Sequence, residues 1–194
     1  MRAVIRTTLI LGTISASAFT APHLVAAKQQ QDVGKPNLVV DISDKQLTLR
    51  LGDSVVQTYY VATGQGGYPT PTGNFTIRKL TWNPSWTPPP DAKWAKNKSA
   101  TEPGDPKNPM KVVKIFFKEP DYYIHGTGDD DSIGTAASHG CVRMGTDEVM
   151  EVGKWVMEHG GSPQQESWFW RVLHFKNQEK VIYLSQPIPI KVVS

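Results

Sequence analysis

Residues 138–144 (SHGCVRM) contain the only cysteine among the 194 residues of the chain. A cysteine attacks carbonyl carbon as its thiolate, but a free thiol with a pKa of about 8.5 is only a few per cent ionised at neutral pH. A histidine that accepts the thiol proton removes this limit by forming an imidazolium–thiolate pair. Cys141 is therefore a candidate nucleophile if the fold brings a histidine to it.

Two histidines are candidates for this base. His139 stands two positions before Cys141, so the two side chains would point to the same face if this stretch is extended. His125 lies sixteen positions upstream, at the end of a predicted strand, and could reach Cys141 only if the glycine-rich residues 126–137 fold back as a loop. Residue spacing alone leaves both histidines open.

The residues beside the cysteine could complete a site for acyl transfer. Gly140 permits a close turn that would aim neighbouring backbone N–H groups at one point and so form an oxyanion hole. Arg143 supplies a fixed cation that could pair with a substrate carboxylate or brace the loop. A nucleophile, a base and anion-stabilising amides are the parts that acyl transfer requires.

A lone cysteine also has other uses, as an inert buried thiol or as a linker between chains. His125, His139 and Cys141 could instead bind a metal together with an aspartate from residues 129–131. The chain lacks paired CxxC or HxxxH spacing, and thiolate with carboxylate is an uncommon ligand mix. We therefore expect no metal and no cofactor, and we interpret the three aspartates as a solvated loop.

The N-terminus predicts export. Arg2 and Arg6 precede a weakly apolar stretch, and small residues at 25–27 (VAA) form a cleavage site, so we predict a signal peptide over residues 1–27 and a flexible lead over 28–35. The mature chain would be periplasmic or secreted. Its 19 basic and 18 acidic side chains give no footprint for nucleic acid, and no apolar run is long enough for a membrane span.

The rest of the chain is predicted to be mainly β. Alternating apolar residues predict strands at 37–42, 46–51, 54–63, 74–82, 111–117, 121–126, 170–175 and 180–185. One helix is predicted at 146–161, with Thr146 as its cap, a face formed by Val149, Val152, Gly153 and Val156, and Gly160 at its end. Residues 83–109 hold seven prolines and two tryptophans, which indicates either a loop that covers a groove or a mobile insertion.

These motifs together resemble a known family. The IHG of residues 124–126, followed at this distance by SHGCVRM, is similar to the signature of the L,D-transpeptidase catalytic domain (the YkuD type) of bacterial cell-wall enzymes. Residues 62–77 resemble the family's segment before the active site, and residues 83–90 resemble its covering loop. The resemblance implies one catalytic domain over residues 36–192. Its fold would be a sandwich or barrel-like β structure with one or two short helices.

The resemblance also implies roles for the central residues. Cys141 corresponds to the nucleophile that attacks the carbonyl of the diamino acid in a peptidoglycan tetrapeptide stem and expels the terminal D-Ala. His125 corresponds to the general base, and the backbone carbonyl of Gly126 would orient its imidazole. His139 and Gly140, with the cysteine itself, correspond to the oxyanion-hole segment.

Ser138 and Arg143 correspond to supporting positions of the family, which either contact the substrate or brace the loop; Ser138 is grouped with the oxyanion segment and Arg143 with substrate binding. The implied enzyme would be inhibited by carbapenems and would contribute to cell-wall biogenesis and cell shape. Its amine acceptor could be a second stem, a lipoprotein lysine or a free D-amino acid.

Three alternatives stay open at this point. With water as the acceptor, the same residues would make an L,D-carboxypeptidase or a peptidoglycan peptide hydrolase. The domain could also be a catalytically silent cell-wall-binding module or a metal-dependent peptidase.

Overall fold

A computed structural model describes residues 34–194 of the chain. The predicted signal peptide and nearly all of the predicted flexible lead lie outside the described residues. Within residues 34–194, no helix is long and apolar enough to cross a bilayer.

Residues 34–194 contain ten strands, two α-helices and two 3-10 helices of three residues each, Lys93–Ala95 and Asp130–Ser132. The strands are β1 (Pro36–Asp41), β2 (Gln46–Leu51), β3 (Ser54–Tyr60), β4 (Thr63–Gly64), β5 (Gly73–Trp82), β6 (Val113–Lys118), β7 (Tyr122–Gly126), β8 (Ala136–Ser138), β9 (Val142–Met144) and β10 (Lys180–Val193). The helices are α1 (Thr146–His159) and α2 (Glu166–His174).

Eight of the strands form one sheet in the order β3-β2-β1-β10-β5-β6-β7-β9, and β4 and β8 form a small parallel pair. The first three strands are an antiparallel meander, as their spacing predicts. At the far edge, Arg143 in β9 exchanges two backbone hydrogen bonds of 2.9 Å with Ala62, which follows β3. The two edges of the sheet therefore meet, and the predicted barrel-like, mainly β fold is confirmed.

Helix α1 packs on the sheet through its predicted face. Val149, Val152 and Val156 are fully buried, and a Cβ at Gly153 would lie 3.1 Å from the Trp82 ring, so this glycine permits close approach of helix and sheet. The predicted cap is wrong by one residue. Thr146 is already helical, and the amide of the preceding Gly145 donates to the Glu148 carboxylate at 3.2 Å.

The strand predicted at residues 170–175 is wrong, because these residues belong mostly to helix α2. Phe169 and Val172, three residues apart, are buried on one side of this helix, and the Phe169 ring lies 5.3 Å from that of Trp82. Burial against α1 and the sheet decides the conformation here, since the apolar residues of the segment fit a two-residue and a helical period almost equally well.

The long proline-rich segment between β5 and β6 is held at several points. Trp86 and Thr101 exchange two backbone hydrogen bonds. Asn108 donates to the Pro84 carbonyl at 2.6 Å, and Asn83 donates to the carbonyl of Val172 in α2 at 2.6 Å. These contacts tie the segment, which we call the covering loop (residues 83–112), to the rest of the domain.

Candidate active site

Strands β7 and β9 position the predicted nucleophile and base. They run parallel, with His125 opposite Arg143 and Ile124 opposite Val142. Side chains two residues apart on a strand share a face, so Tyr123 and His125 point to the same side as Arg143 and as Cys141 just before β9. The chain between the two strands folds back, as the glycines of residues 126–137 predict.

A groove of about 1270 Å³ opens on this face. Its lining includes five of the residues predicted from the sequence: His125, Ser138, His139, Cys141 and Arg143. The covering loop forms the opposite wall through Trp86, Trp94 and the prolines at 88–90. The predicted long covering loop is therefore confirmed.

His125 is buried and has one tautomer imposed on it. Its Nδ1 donates to the Gly126 carbonyl at 2.7 Å, which leaves the Nε2 lone pair of the neutral ring free to accept a proton. Burial, together with the Arg143 and Lys114 charges, lowers the pKa of His125 to about 3, against the opposing effect of the Gly126 and Pro109 carbonyls. The imidazole is therefore neutral at neutral pH.

Cys141 also rests in its neutral form. Burial raises the pKa of its thiol to about 11, although the Tyr123 amide and hydroxyl and the cations Lys114 and Arg143 favour the thiolate. The thiol donates to the Asp121 carbonyl at 3.3 Å. Within residues 34–194 no hydrogen bond joins the cysteine and His125 side chains, and the two pKa shifts favour the neutral thiol and the neutral imidazole over the ion pair.

The turn at residues 138–141 depends on a serine and a glycine. Ser138 is buried, and its hydroxyl donates to the Cys141 carbonyl and accepts the Gly140 amide at 3.1 Å. Gly140 has a φ of +106°, and a Cβ there would lie 2.8 Å from the Tyr122 ring. The stretch is therefore a turn, so the shared strand face considered for His139 and Cys141 does not occur.

The same turn reduces the number of backbone amides in the predicted oxyanion segment that could bind a substrate oxygen. Because the Gly140 amide is already bonded to the Ser138 hydroxyl, that amide is not available to a substrate oxygen. The amides of His139 and Cys141 are the remaining members of the segment.

His139 is held from three sides by aromatic and polar groups. The Trp94 ring of the covering loop stacks on its imidazole with centroids 4.0 Å apart, and the Tyr68 ring meets it edge-on at 4.9 Å. Gln65 Nε2 lies 3.3 Å from His139 Nε2. These contacts engage His139 with the covering loop and with the loop after β4.

Two residues of the site were not identified from the sequence. Tyr123 presents its amide and hydroxyl to the Cys141 sulfur, and its ring lies 5.6 Å from that of His125. The two-residue period of YYIHG could have indicated Tyr123, because it shares a face with His125. Lys114 lies opposite His125 across β6 and β7, and only the strand pairing reveals it.

One ion pair of the site joins Arg143 to the aspartates at 129–131. The Arg143 guanidinium lies 4.0 Å from the Asp129 carboxylate.

The metal site considered from the sequence has no set of ligands in the structure. Within the described part of the chain, no three His, Cys, Asp or Glu side chains are arranged to hold a metal ion.

Comparison with known proteins identifies the family. The family model described as the L,D-transpeptidase catalytic domain (YkuD) matches residues 35–168. The chain belongs to this family. The resemblance seen in the sequence is therefore confirmed, and L,D-transpeptidases are enzymes of the bacterial cell wall.

Relatives of the chain are also named as L,D-transpeptidases. The chain is 34% identical over 124 residues to the putative L,D-transpeptidase YqjB of Bacillus subtilis, covering 61% of this chain and 65% of the relative. It is 31% identical over 125 residues to the probable L,D-transpeptidase ErfK/SrfK of Escherichia coli, covering 61% of this chain and 40% of that protein. The chain thus spans less than two thirds of the length of either relative.

Solved structures support the same fold. An L,D-transpeptidase from Mycobacterium smegmatis superposes with a TM-score of 0.51 at 16% identity, covering 82% of this chain and 59% of that one. The catalytic domain of the Enterococcus faecium L,D-transpeptidase gives 0.51 at 14% identity, covering 81% of this chain and 96% of that one. At these identities the likeness establishes the architecture.

Proposed function

We propose that the protein is a cysteine-dependent peptidoglycan L,D-transpeptidase. The observation that carries the proposal is the shared groove of His125, on β7, and Cys141, just before the adjacent parallel strand β9, with the imidazole tautomer set by the Gly126 carbonyl. Family membership supports the same reaction. The substrates would be peptidoglycan stem peptides in the periplasm or outside the cell, and no cofactor is needed.

The first half-reaction makes a thioester. His125 Nε2 takes the thiol proton as Cys141 Sγ attacks the carbonyl carbon that links the diamino acid to the terminal D-Ala. The amides of His139 and Cys141 hold the oxyanion of the tetrahedral intermediate. The C–N bond then breaks, and the departing D-Ala amine takes the proton back from the imidazole.

The second half-reaction resolves the thioester. An amine of the acceptor attacks the thioester carbon and gives a proton to His125, the C–S bond breaks, and the sulfur recovers that proton. Water in place of the amine would yield the L,D-carboxypeptidase or hydrolase. Transfer and hydrolysis thus differ only in the group that attacks the intermediate.

Ionisation of the thiol is coupled to substrate binding in this scheme. The thiol turns from the Asp121 carbonyl toward the imidazole, and the substrate excludes water while Lys114 and Arg143 stabilise the nascent thiolate. The neutral resting pair is consistent with a site that reacts only with a bound substrate.

The experiment is an incubation of the purified chain with disaccharide-tetrapeptide, analysed by mass spectrometry. Both activities release free D-Ala, but a transpeptidase yields the 3-3 linked dimer, whereas a hydrolase yields the tripeptide and no dimer. We expect Cys141→Ala to abolish both products and His125→Ala to lower turnover by at least about a thousandfold. His139→Ala should be less damaging.

A carbapenem tests the acylation of Cys141 alone, because it forms an adduct with the cysteine without needing an acceptor amine. We expect it to acylate the wild type at Cys141 and to leave Cys141→Ala unmodified. Folded wild-type protein that forms neither an adduct nor a product would instead be a silent cell-wall-binding module. Activity that survives thiol alkylation but not a chelator would identify a metal-dependent peptidase.

A further inference from the structure

The groove is more cationic than the rest of the chain. Its lining holds six lysine and arginine side chains against three aspartates, whereas the whole chain has 21 against 18 acidic residues. An excess of one charge in a cleft attracts ligands of the opposite sign, because the protein walls focus the field. This balance favours an anionic ligand.

Lys114 is one of the partly buried members of this set. Its Nζ lies on the groove side of β6 and donates to the Ser85 carbonyl of the covering loop at 2.8 Å, and it lies 5.2 Å from the centre of the Tyr123 ring. An ammonium has three N–H donors, so the Ser85 carbonyl satisfies only one of them. The aromatic ring offers its face but no lone pair.

No carboxylate of the described residues neutralises this ammonium. Within residues 34–194 no carboxylate oxygen lies within 4.0 Å of Lys114 Nζ. The acidic residue that influences it, Glu179, accepts hydrogen bonds from the Ser85 amide at 2.5 Å and the Ser85 hydroxyl at 2.7 Å. Burial without a nearby counter-charge disfavours the charged ammonium and so lowers the pKa of Lys114. A bound anion would stabilise the ammonium and raise this pKa again.

We propose that Lys114 binds a free carboxylate of the donor peptide, so that the groove selects stems whose acidic residue is ionised over stems in which it is amidated. The inference rests on the proposed function for the identity of the ligand. Lys114 is placed for this role because it lies opposite His125 in the strand pairing and lines the same groove as Cys141. The bound carboxylate, on the residue before the diamino acid, would therefore lie in the same groove as the reacting carbonyl.

The test uses two synthetic tetrapeptide stems that differ only in whether the acidic residue before the diamino acid carries a carboxylate or a carboxamide. Dissociation constants are measured by calorimetry on the full chain with Cys141→Ala, so that binding is read without turnover. In parallel, kcat and KM are measured with the active chain. We expect the carboxylate stem to bind about tenfold more tightly and to show the lower KM.

Lys114→Met should remove this preference by weakening only the carboxylate stem, and Lys114→Arg should retain part of it. Lys191→Met is the matched control, because this lysine is also on a strand but is exposed on β10, outside the groove. Thermal unfolding checks that each variant is folded. The control should keep the full preference, and raised salt should reduce it in the wild type.

The possible failures separate the two proposals. The role of Lys114 is overturned if Cys141→Ala binds both stems equally, or if adding Lys114→Met weakens the binding of both stems equally. A lysine that only supports the fold or stabilises the thiolate would not distinguish a carboxylate from a carboxamide on the stem. A tenfold binding preference with no turnover of either stem supports Lys114 and overturns the proposed reaction.

Discussion

At the scale of single residues, the proposed nucleophile and the proposed base are held away from their charged forms by the same cause. Burial disfavours the thiolate of Cys141 and the imidazolium of His125, so their pKa values move in opposite directions, to about 11 and about 3. The Tyr123 hydroxyl and the two neighbouring cations oppose this effect at the sulfur. We therefore expect the thiol of the free protein to be protected against indiscriminate alkylation and oxidation.

This protection predicts the pH profile of alkylation. The rate of iodoacetamide labelling of Cys141 should rise about tenfold per pH unit from pH 7 to 9 without a plateau, because the thiolate fraction is still small there. Mass spectrometry follows the reaction without ambiguity, since the chain has one cysteine.

Cys141→Ala should take up no label and serves as the control for this profile. A labelling rate that is already constant above pH 6 would contradict the neutral resting pair and indicate a preformed imidazolium–thiolate.

At the scale of elements, the turn between β8 and β9 sets the direction of the nucleophile. Gly140 combines a left-handed φ with close contact to Tyr122, whereas Gly134, between β7 and β8, has a φ of +82° and nothing within 4 Å of a Cβ built there. A side chain at either glycine would strain the backbone, because both residues have a positive φ. Only a side chain at Gly140 would also displace a neighbour, the Tyr122 ring. Comparing alanine substitutions at the two positions therefore distinguishes the effect of backbone strain from that of the steric clash.

We expect Gly134→Ala to lower the free energy of unfolding by about 1 kcal/mol, with little effect on acylation. Gly140→Ala should cost a further 1–3 kcal/mol or so, because Tyr122 or the turn must move. It should also slow carbapenem acylation about a hundredfold, since the sulfur is displaced. Urea unfolding and adduct formation measure the two effects, and equal acylation rates for the two variants would contradict the role of the turn.

At the scale of the whole molecule, the buried base couples the site to folding stability. The pKa of His125 is about 3 in the folded chain and about 6.5 in an unfolded one. Between these values the unfolded chain binds a proton that the folded chain does not bind. The contribution of His125 is therefore present above pH 6.5 and is lost as the pH falls toward 3.

We expect the free energy of unfolding of the wild type to fall more steeply from pH 6.5 to 4.5 than that of His125→Gln, which lacks this proton equilibrium. The difference in slope should be at most about 1.4 kcal/mol per pH unit. Urea titrations of the full chain at several pH values measure it, and comparison with the variant cancels the shared titration of carboxylates. Parallel curves for the two proteins would exclude the coupling.

Over the whole fold, the sequence predicts correctly the elements that a local pattern determines, and fails for those that depend on contacts between residues far apart in the chain. The meander and helix α1 were predictable because their periodicities are long and are repeated by several residues. Residues 170–175 were not, since a short apolar segment fits two periods, and packing of Phe169 and Val172 against the core selects the helix. Strands β8 and β9, of three residues each, exist only through pairing with distant partners.

By itself, the sequence determined the family, the mainly β class and the set of residues around Cys141, because a motif and a period are local properties of the chain. Only the tertiary structure decided which charge state these residues rest in, that the Gly140 amide is occupied, and that Tyr123 and Lys114 belong to the site. Burial, electrostatic potential and strand pairing are sums over residues far apart in the chain, and no local pattern contains them.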